Sequence, residues 1–336
     1  MHTRRFWTAP FVAAMITVLV AGCVSIGGAA PDSASSQPEE PDITVAAIPA
    51  VDLAGLYIAL NRGLFARQGL HVTIDKIASS AAVIGDQLKG QVDISAGSYV
   101  AYILAQAAGA RFRILAEAST LAPDTRVLVT TADSPITTIA GLAGRKIGVN
   151  GTNSIGTLLV SALLSARGIS PRKVTFVTAP AGFPAMPGQL GAGAWAAAFL
   201  AEPYVTAAGE EYGEQVLTDL DQGAVVNLPI DGYLVTRAWA REHPKTAAAF
   251  VRAIEQGQAI ASGDAPAVHA AMAKYDDLPP RVTAAIALTG YPVGPVVEAG
   301  IERIATAMNQ FGMLGRQDAT GAERRTLVES MVGPGS

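Results

Sequence analysis

The chain of 336 residues is half hydrophobic and only 15% charged, with a formal net charge of −4. That is apolar enough for a large core spread over about two domains, and the acidic balance excludes the basic footprint that nucleic-acid binding demands. A single cysteine, Cys23, excludes an internal disulfide framework.

His2, Arg4 and Arg5 precede Phe11–Val20, an almost wholly apolar run. It is too short to span a bilayer and has the length of a signal-peptide core. It leads into Val20-Ala21-Gly22-Cys23, which resembles the lipobox of bacterial lipoproteins, whose cysteine is lipidated and becomes the first residue of the mature chain. Residues 1–22 then form a lipoprotein signal peptide and Cys23 the lipidation site. Loss of Arg4 and Arg5, with no acid, takes the net charge from −4 to −6. Val24–Asp42 is rich in Gly, Ser, Pro and acid and has no apolar period. Residues 23–42 are therefore read as a lipidated, disordered tether of about 24 Å reach, and residues 1–42 are left out of the fold.

From residue 43 the pattern alternates. Ile43–Ile48 predicts a strand, Pro49–Asp52 a break, and Leu53–Asn61 a helix whose N-cap position suits Asp52. His71–Lys76 alternates as a strand, Ser79–Lys89 reads as a helix, and Val92–Ser95 as a short strand. Ala96-Gly97-Ser98-Tyr99 opens a helix through Ala107, and Phe112–Glu117 is a strand. Gly141–Gly168 repeats the unit: a strand over Arg145–Val149, a polar loop over Asn150–Ser154, and a helix from Ile155. The first N–H groups of such a helix lack internal partners and carry partial positive charge, a ready site for a carboxylate, sulfonate or phosphate. An ordinary capped helix is the plainer reading of the same loop. Further on, Pro244–Ser262, Pro295–Phe311 and Thr320–Val332 read as helices, the first two packed on the first lobe.

Several segments, in order, carry a resemblance. "GLFARQGLHV" and "GQVDISAGS", then "ITTIAGLAGRKIGVN", "AAAFLAEPY" and "LVTRAWAREHPKTAAAFVRAIEQGQAI" resemble the nitrate/sulfonate/taurine class of ABC-transporter solute-binding proteins, which includes thiamine-precursor binders. The similarity spans roughly residues 43–310. It departs near Trp195 and Ala196, where the family often has Asp. The resemblance implies an α/β, periplasmic-binding-protein-like fold of type II: two doubly wound lobes joined by two crossover strands. The crossovers are expected at Arg126–Thr131 and Ile230–Thr236, with lobe I from 43–127 plus 231–330 and lobe II from 128–230. It implies capture of a small anionic solute, sulfonate-, taurine- or nitrate-like, in the cleft and delivery to an ABC permease with its ATPase. A heterocyclic, thiamine-pyrimidine-like precursor is the alternative solute. The protein is expected to be an exported monomer, anchored by lipid at the outer face of the cell membrane, with no cofactor.

In such a fold the ligand sits beyond the carboxyl ends of the strands. Candidate ligand-binding residues are Asp52, Ser98 and Tyr99 from lobe I, Thr152, Asn153, Ser154 and Glu202 from lobe II, and Asp231 and Tyr233 at the second crossover. Each has a plainer role: Asp52 as a helix cap, Glu202-Pro203 as a helix start, and Tyr99 and Tyr233 as core. Arg126, the one cation near a hinge, is expected to pair with an acid. An enzyme is not expected. His71, His243 and His269 have no metal-ligand spacing, no G-x-S-x-G or Walker loop occurs, and the G-x-G-x-x-A match at Gly191–Ala196 does not clearly follow a strand. An enzyme on this fold and a lipid-anchored adaptor remain the other classes.

Overall fold

The computed structural model describes residues 37–179, 181–275, 278–315 and 320–333. The expected signal peptide, residues 1–22, and the expected lipidation site, Cys23, lie outside the described residues. Among the described ones, no helix is long and apolar enough to cross a membrane.

The chain begins with β1 (Asp42–Ala47), α1 (Ala54–Asn61), α2 (Leu64–Arg67), β2 (His71–Lys76), α3 (Ser80–Leu88), β3 (Ile94–Ser98), α4 (Tyr99–Ala107) and β4 (Phe112–Thr120). It then passes into β5 (Arg126–Thr130), β6 (Lys146–Val149), α5 (Ile155–Ala166), β7 (Thr175–Thr178), α6 (Met186–Gly191), β8 (Ala197–Ala201), α7 (Tyr204–Tyr212) and β9 (Gln215–Asp219). It returns through β10 (Pro229–Thr236) and closes with α8 (Arg237–Glu242), α9 (Pro244–Gly263), α10 (Ala265–Tyr275), α11 (Pro280–Ala285), α12 (Glu298–Gln310) and α13 (Gly321–Val332).

Two five-stranded sheets result, in the orders β2-β1-β3-β10-β4 and β7-β6-β8-β5-β9. They are the same arrangement twice. In each, three neighbouring strands run parallel, and the fourth position is antiparallel to both its neighbours. The antiparallel member is the strand by which the chain enters from the other sheet: β5 after residues 121–125, β10 after residues 220–228. Coming from the far lobe, each starts at the end where its neighbours finish. The predicted crossover strands are therefore integral sheet strands, and the linking segments precede them; Arg126 and Val127, expected in lobe I, belong to the second sheet, and Pro229 and Ile230, expected in lobe II, belong to the first.

Burial explains the element boundaries. β3 and β5 are buried at every position, as are the five residues of β8. β3 runs on through Ser98, three residues past the expected end, because Ser98 and Gly97 pair with Asp231 and Gly232 of β10. One apolar cluster lies against the first sheet on the side of α1, α9 and α10. A second runs without interruption from α4 and β4 through α12 and α5 to β6 and β8, joining the two lobes. Thus α12, expected on lobe I alone, also touches α5 of lobe II. Residues 39–42, read from sequence as tether, are held: Glu39 accepts from the N–H groups of Lys245 and Thr246 at 2.9 Å each, Glu40 accepts from Trp239 Nε1 at 3.0 Å, and Asp42 opens β1.

Candidate ligand cleft between the lobes

Strand ends and the loops after them, from both lobes, converge on one cavity of about 30 Å³. Lobe I contributes Ile48, Ala50, Asp52 and Leu53 after β1, Ser80 at the start of α3, Ala96 and Ser98 of β3, and Asp231 of β10. Lobe II contributes Arg126 at the start of β5, Asn150 after β6, Ile155 of α5, Phe183 after β7 and Ala201 at the end of β8. This is where open α/β sheets place ligands, because helix starts and loops gather at strand ends.

A charged triad floors the cavity. Arg126 Nη2 donates to Asp52 Oδ1 at 2.6 Å and lies 3.5 Å from Asp231 Oδ2, with the Arg126 and Asp52 side chains each 3% exposed. The expected acid partner of Arg126 is thus Asp52, across the lobe boundary. Two carboxylates facing one guanidinium leave one net negative charge when all are ionised. Burial, then the charge of Asp52, pushes the Asp231 carboxyl up to about 7, while Arg126 pulls the other way. Three buried polar atoms here have no partner: Arg126 Nε, Arg126 Nη1 and Ser98 Oγ. Buried polar groups are nearly always satisfied, and these three belong to residues that line the cavity.

The loop before α5 presents less than the sequence suggests. Asn150 lines the cavity, but Thr152 and Asn153 are exposed and do not. Ser154 turns back on its own loop, its hydroxyl within 2.7 Å of Asn150 Oδ1 and 2.6 Å of the Gly151 carbonyl. It makes no side-chain cap to α5, so no hydroxyl occupies the start of that helix, where Ile155 borders the cavity.

The remaining candidates take structural places. Glu202 is 2% exposed and outside the cavity lining; its carboxylate accepts from Thr206 N and Thr206 Oγ1 in α7 and from Ala287 N, which belongs to the segment after α11. Burial raises its pKa. With Tyr204 Oη on the Pro49 carbonyl at 3.4 Å and Val51 N on the Glu202 carbonyl at 3.4 Å, it latches the lobes. Tyr233 is fully buried edge-on to Phe250, and Tyr99 is fully buried beneath Gly232. Neither lines the cavity: Tyr99 opens α4, and Tyr233 parts from Asp231 because β10 carries register shifts on either side of Asp231 and after Tyr233. Sequence reasoning passed over Asn150 as a contact, and Ser80 and Phe183 altogether. Their signal was position, just past β6, β2 and β7.

Among the described residues no group of three or more His, Cys, Asp or Glu is placed to hold a metal ion. Gly191–Ala196 ends α6 and leads into β8, so its glycines do not follow a strand.

The family model described as "NMT1/THI5 like" matches residues 50–265, a span that contains every charged residue of the cleft. The chain belongs to that family. It is 29% identical over 199 residues to a "Putative aliphatic sulfonates-binding protein" of Escherichia coli, a match covering 58% of this chain and 59% of that relative. Among solved structures, it is similar to the alkanesulfonate-binding protein SsuA from Xanthomonas axonopodis pv. citri bound to MOPS, with TM-score 0.70 and 18% identity over 83% of this chain and 96% of that one. It is also similar to the periplasmic nitrate-binding protein NrtA from Synechocystis, with TM-score 0.75 and 14% identity over 88% and 86%. These likenesses establish the periplasmic-binding-protein fold.

Proposed function

We propose that the protein is the extracytoplasmic solute-binding component of an ABC importer, lipid-anchored through Cys23, that closes its two lobes over a small solute and delivers it to the permease. The observation that carries this is the cavity itself. Its walls come from both sheets, and its unpartnered buried donors come from Arg126 in lobe II and Ser98 in lobe I. A ligand touching both sets of groups stabilises the closed arrangement over any open one. At about 30 Å³ the cavity has room for about two waters, so the lobes part to admit a solute and close on it.

The charge of the floor selects among solutes. Nitrate or a simple alkanesulfonate brings negative charge to a guanidinium already flanked by Asp52 and Asp231. A taurine-like zwitterion suits the site better, its sulfonate on Arg126 Nε or Nη1, Ser98 Oγ and the start of α5, its ammonium on Asp231. The same carboxylates favour the second reading, a heterocycle with amino or ring N–H groups. Binding rather than turnover is supported by the similar proteins, which are named as binding proteins.

Thermal-shift measurements with taurine, methanesulfonate, nitrate and an aminopyrimidine test this. A solute at a hundred times its Kd adds about 2.7 kcal/mol of stability. Taurine or the aminopyrimidine is expected to raise Tm, and Arg126→Gln to remove the rise. No shift with any of the four overturns the solute assignment; consumption of the bound compound, followed by mass spectrometry, overturns the non-enzymatic one.

A further inference from the structure

Lobe I has a second concavity, at the opposite end of its sheet from the cleft. The cleft lies at the start of β10; this pocket lies at its end, beside Thr236, and at the start of β4. Its volume is about 590 Å³. Arg111 and Arg113 flank the first residue of β4, Arg237 and Arg241 stand on α8, and no acid lines the pocket. All four arginines are exposed, and among the described residues none makes an ion pair. Arg111 is oriented by the Gly109 and Ala110 carbonyls, at 3.0 and 2.9 Å from its Nη1. Four uncompensated guanidinium groups around one hollow are conspicuous in a chain of net charge −4.

An apolar trough of about 530 Å³ continues from it, sharing Arg113 and Ala240. Ile114, Leu115, Ala247, Val251 and Val296 form its walls, with Arg252 and Glu255 of α9 as the other charged members. The segment that leads back toward the N-terminus is fastened at this same corner, Glu39 to the start of α9 and Glu40 to Trp239 of α8.

We infer that this pole of lobe I binds an anionic phospholipid, phosphate among the arginines and glycerol-acyl portion along the trough, and so seats the protein on a membrane surface with its cleft turned outward. Guanidinium groups match phosphate oxygens in pairs. A cationic pocket running into an apolar trough matches a molecule whose phosphate adjoins hydrocarbon, which an acidic protein surface does not. The cleft is at the other pole, so this site is separate from solute capture and stands whichever solute the cleft takes.

The test uses the full chain and dihexanoyl-phosphatidylglycerol below its micellar concentration, measured by calorimetry beside dihexanoyl-phosphatidylcholine and glycerol phosphate. The phosphatidylglycerol is expected to bind tightest, and to weaken with added salt. Removing each arginine should weaken it roughly five-fold, so the double variant Arg237→Gln/Arg241→Gln should lose most of the affinity. Cosedimentation should favour vesicles of mixed phosphatidylcholine and phosphatidylglycerol over phosphatidylcholine alone, and that preference should vanish in the double variant. These are surface changes, and an unaltered melting temperature verifies the fold. Equal binding of both lipids, or undiminished binding by the double variant, overturns the inference. So does glycerol phosphate binding as tightly as the lipid, which would make the pocket a site for free phosphate compounds.

Discussion

The two lobes are built on one topology but bring opposite charges to the cleft. Lobe I supplies Asp52 and Asp231; lobe II supplies Arg126 and the uncapped start of α5. Repetition of a sheet order therefore says nothing about what its strand ends carry. The lobes attract each other through the same groups that the proposed solute would engage, so a bound ligand would complete an electrostatic contact that already exists. Excess acid on one side makes that contact incomplete.

Removing the lobe II side of the pair is expected to have the largest effect. Arg126→Ala leaves two buried carboxylates facing each other, and should cost about 3–5 kcal/mol of stability by urea unfolding. Addition of Asp52→Asn should restore part of that loss. A cost below about 1 kcal/mol, the range of an exposed pair, would show that the lobes do not depend on the triad.

Each sheet holds a glycine pressed against an aromatic ring. A Cβ on Gly148 of β6 would come within 2.2 Å of the Trp195 ring, and one on Gly232 of β10 within 2.4 Å of Tyr99 Oη. Each alanine should destabilise by about 1–3 kcal/mol through overpacking. The Gly232 change should additionally weaken solute binding, because it displaces the strand that carries Asp231, whereas Gly148 lies beneath Trp195 and away from the triad. Calorimetric melting with and without the solute distinguishes the two.

Titration gives a third contrast. Asp231 in lobe I and Glu214 in lobe II are both raised to about 7, chiefly by burial. A carboxyl whose folded pKa exceeds its unfolded one favours the folded state while protonated. That contribution is complete below the unfolded pKa and is lost as pH rises through the folded one. Stability should therefore fall as pH is raised from the ordinary carboxylate range to about 7, and level off above it. Asp231→Asn should flatten the part that a bound solute modifies, and Glu214→Gln the part that it does not. A pH profile unchanged by both substitutions would contradict these assignments.

The smallest effect is expected outside the cavity. Thr152→Ala/Asn153→Ala should alter stability by no more than about 0.5 kcal/mol and leave the solute-induced rise in Tm intact. Asn150→Ala should diminish that rise. The opposite outcome would return the ligand contact to the exposed part of the loop.

Much of the fold was legible. β2 and α5 have the bounds that alternation and apolar spacing predict: β2 alternates exposed and half-buried positions over its first four residues, and α5 begins directly after the polar loop. β8 and β9 were harder. Ala197–Ala201 is buried throughout and shows no period, and Gln215–Asp219 is a half-exposed edge strand. Of the candidate site, Asp52, Ser98 and Asp231 were named on position after a strand or at a crossover and do border the cavity. Thr152, Asn153, Tyr99 and Tyr233 were named on the same grounds and do not, because position along the chain sets where a residue stands and not which way its side chain turns.

By itself the sequence determined the alternating elements and the end of each sheet where a ligand belongs, because hydrophobic period and turn chemistry are local, while the order of its resembling segments pointed to the family. Tertiary structure alone decided that Arg126 meets Asp52 from 74 positions away. It also gathered Arg111, Arg113, Arg237 and Arg241 around one hollow at the far pole. Charges on separate strands and helices interact through distance and burial, and those are set only when the sheets are assembled.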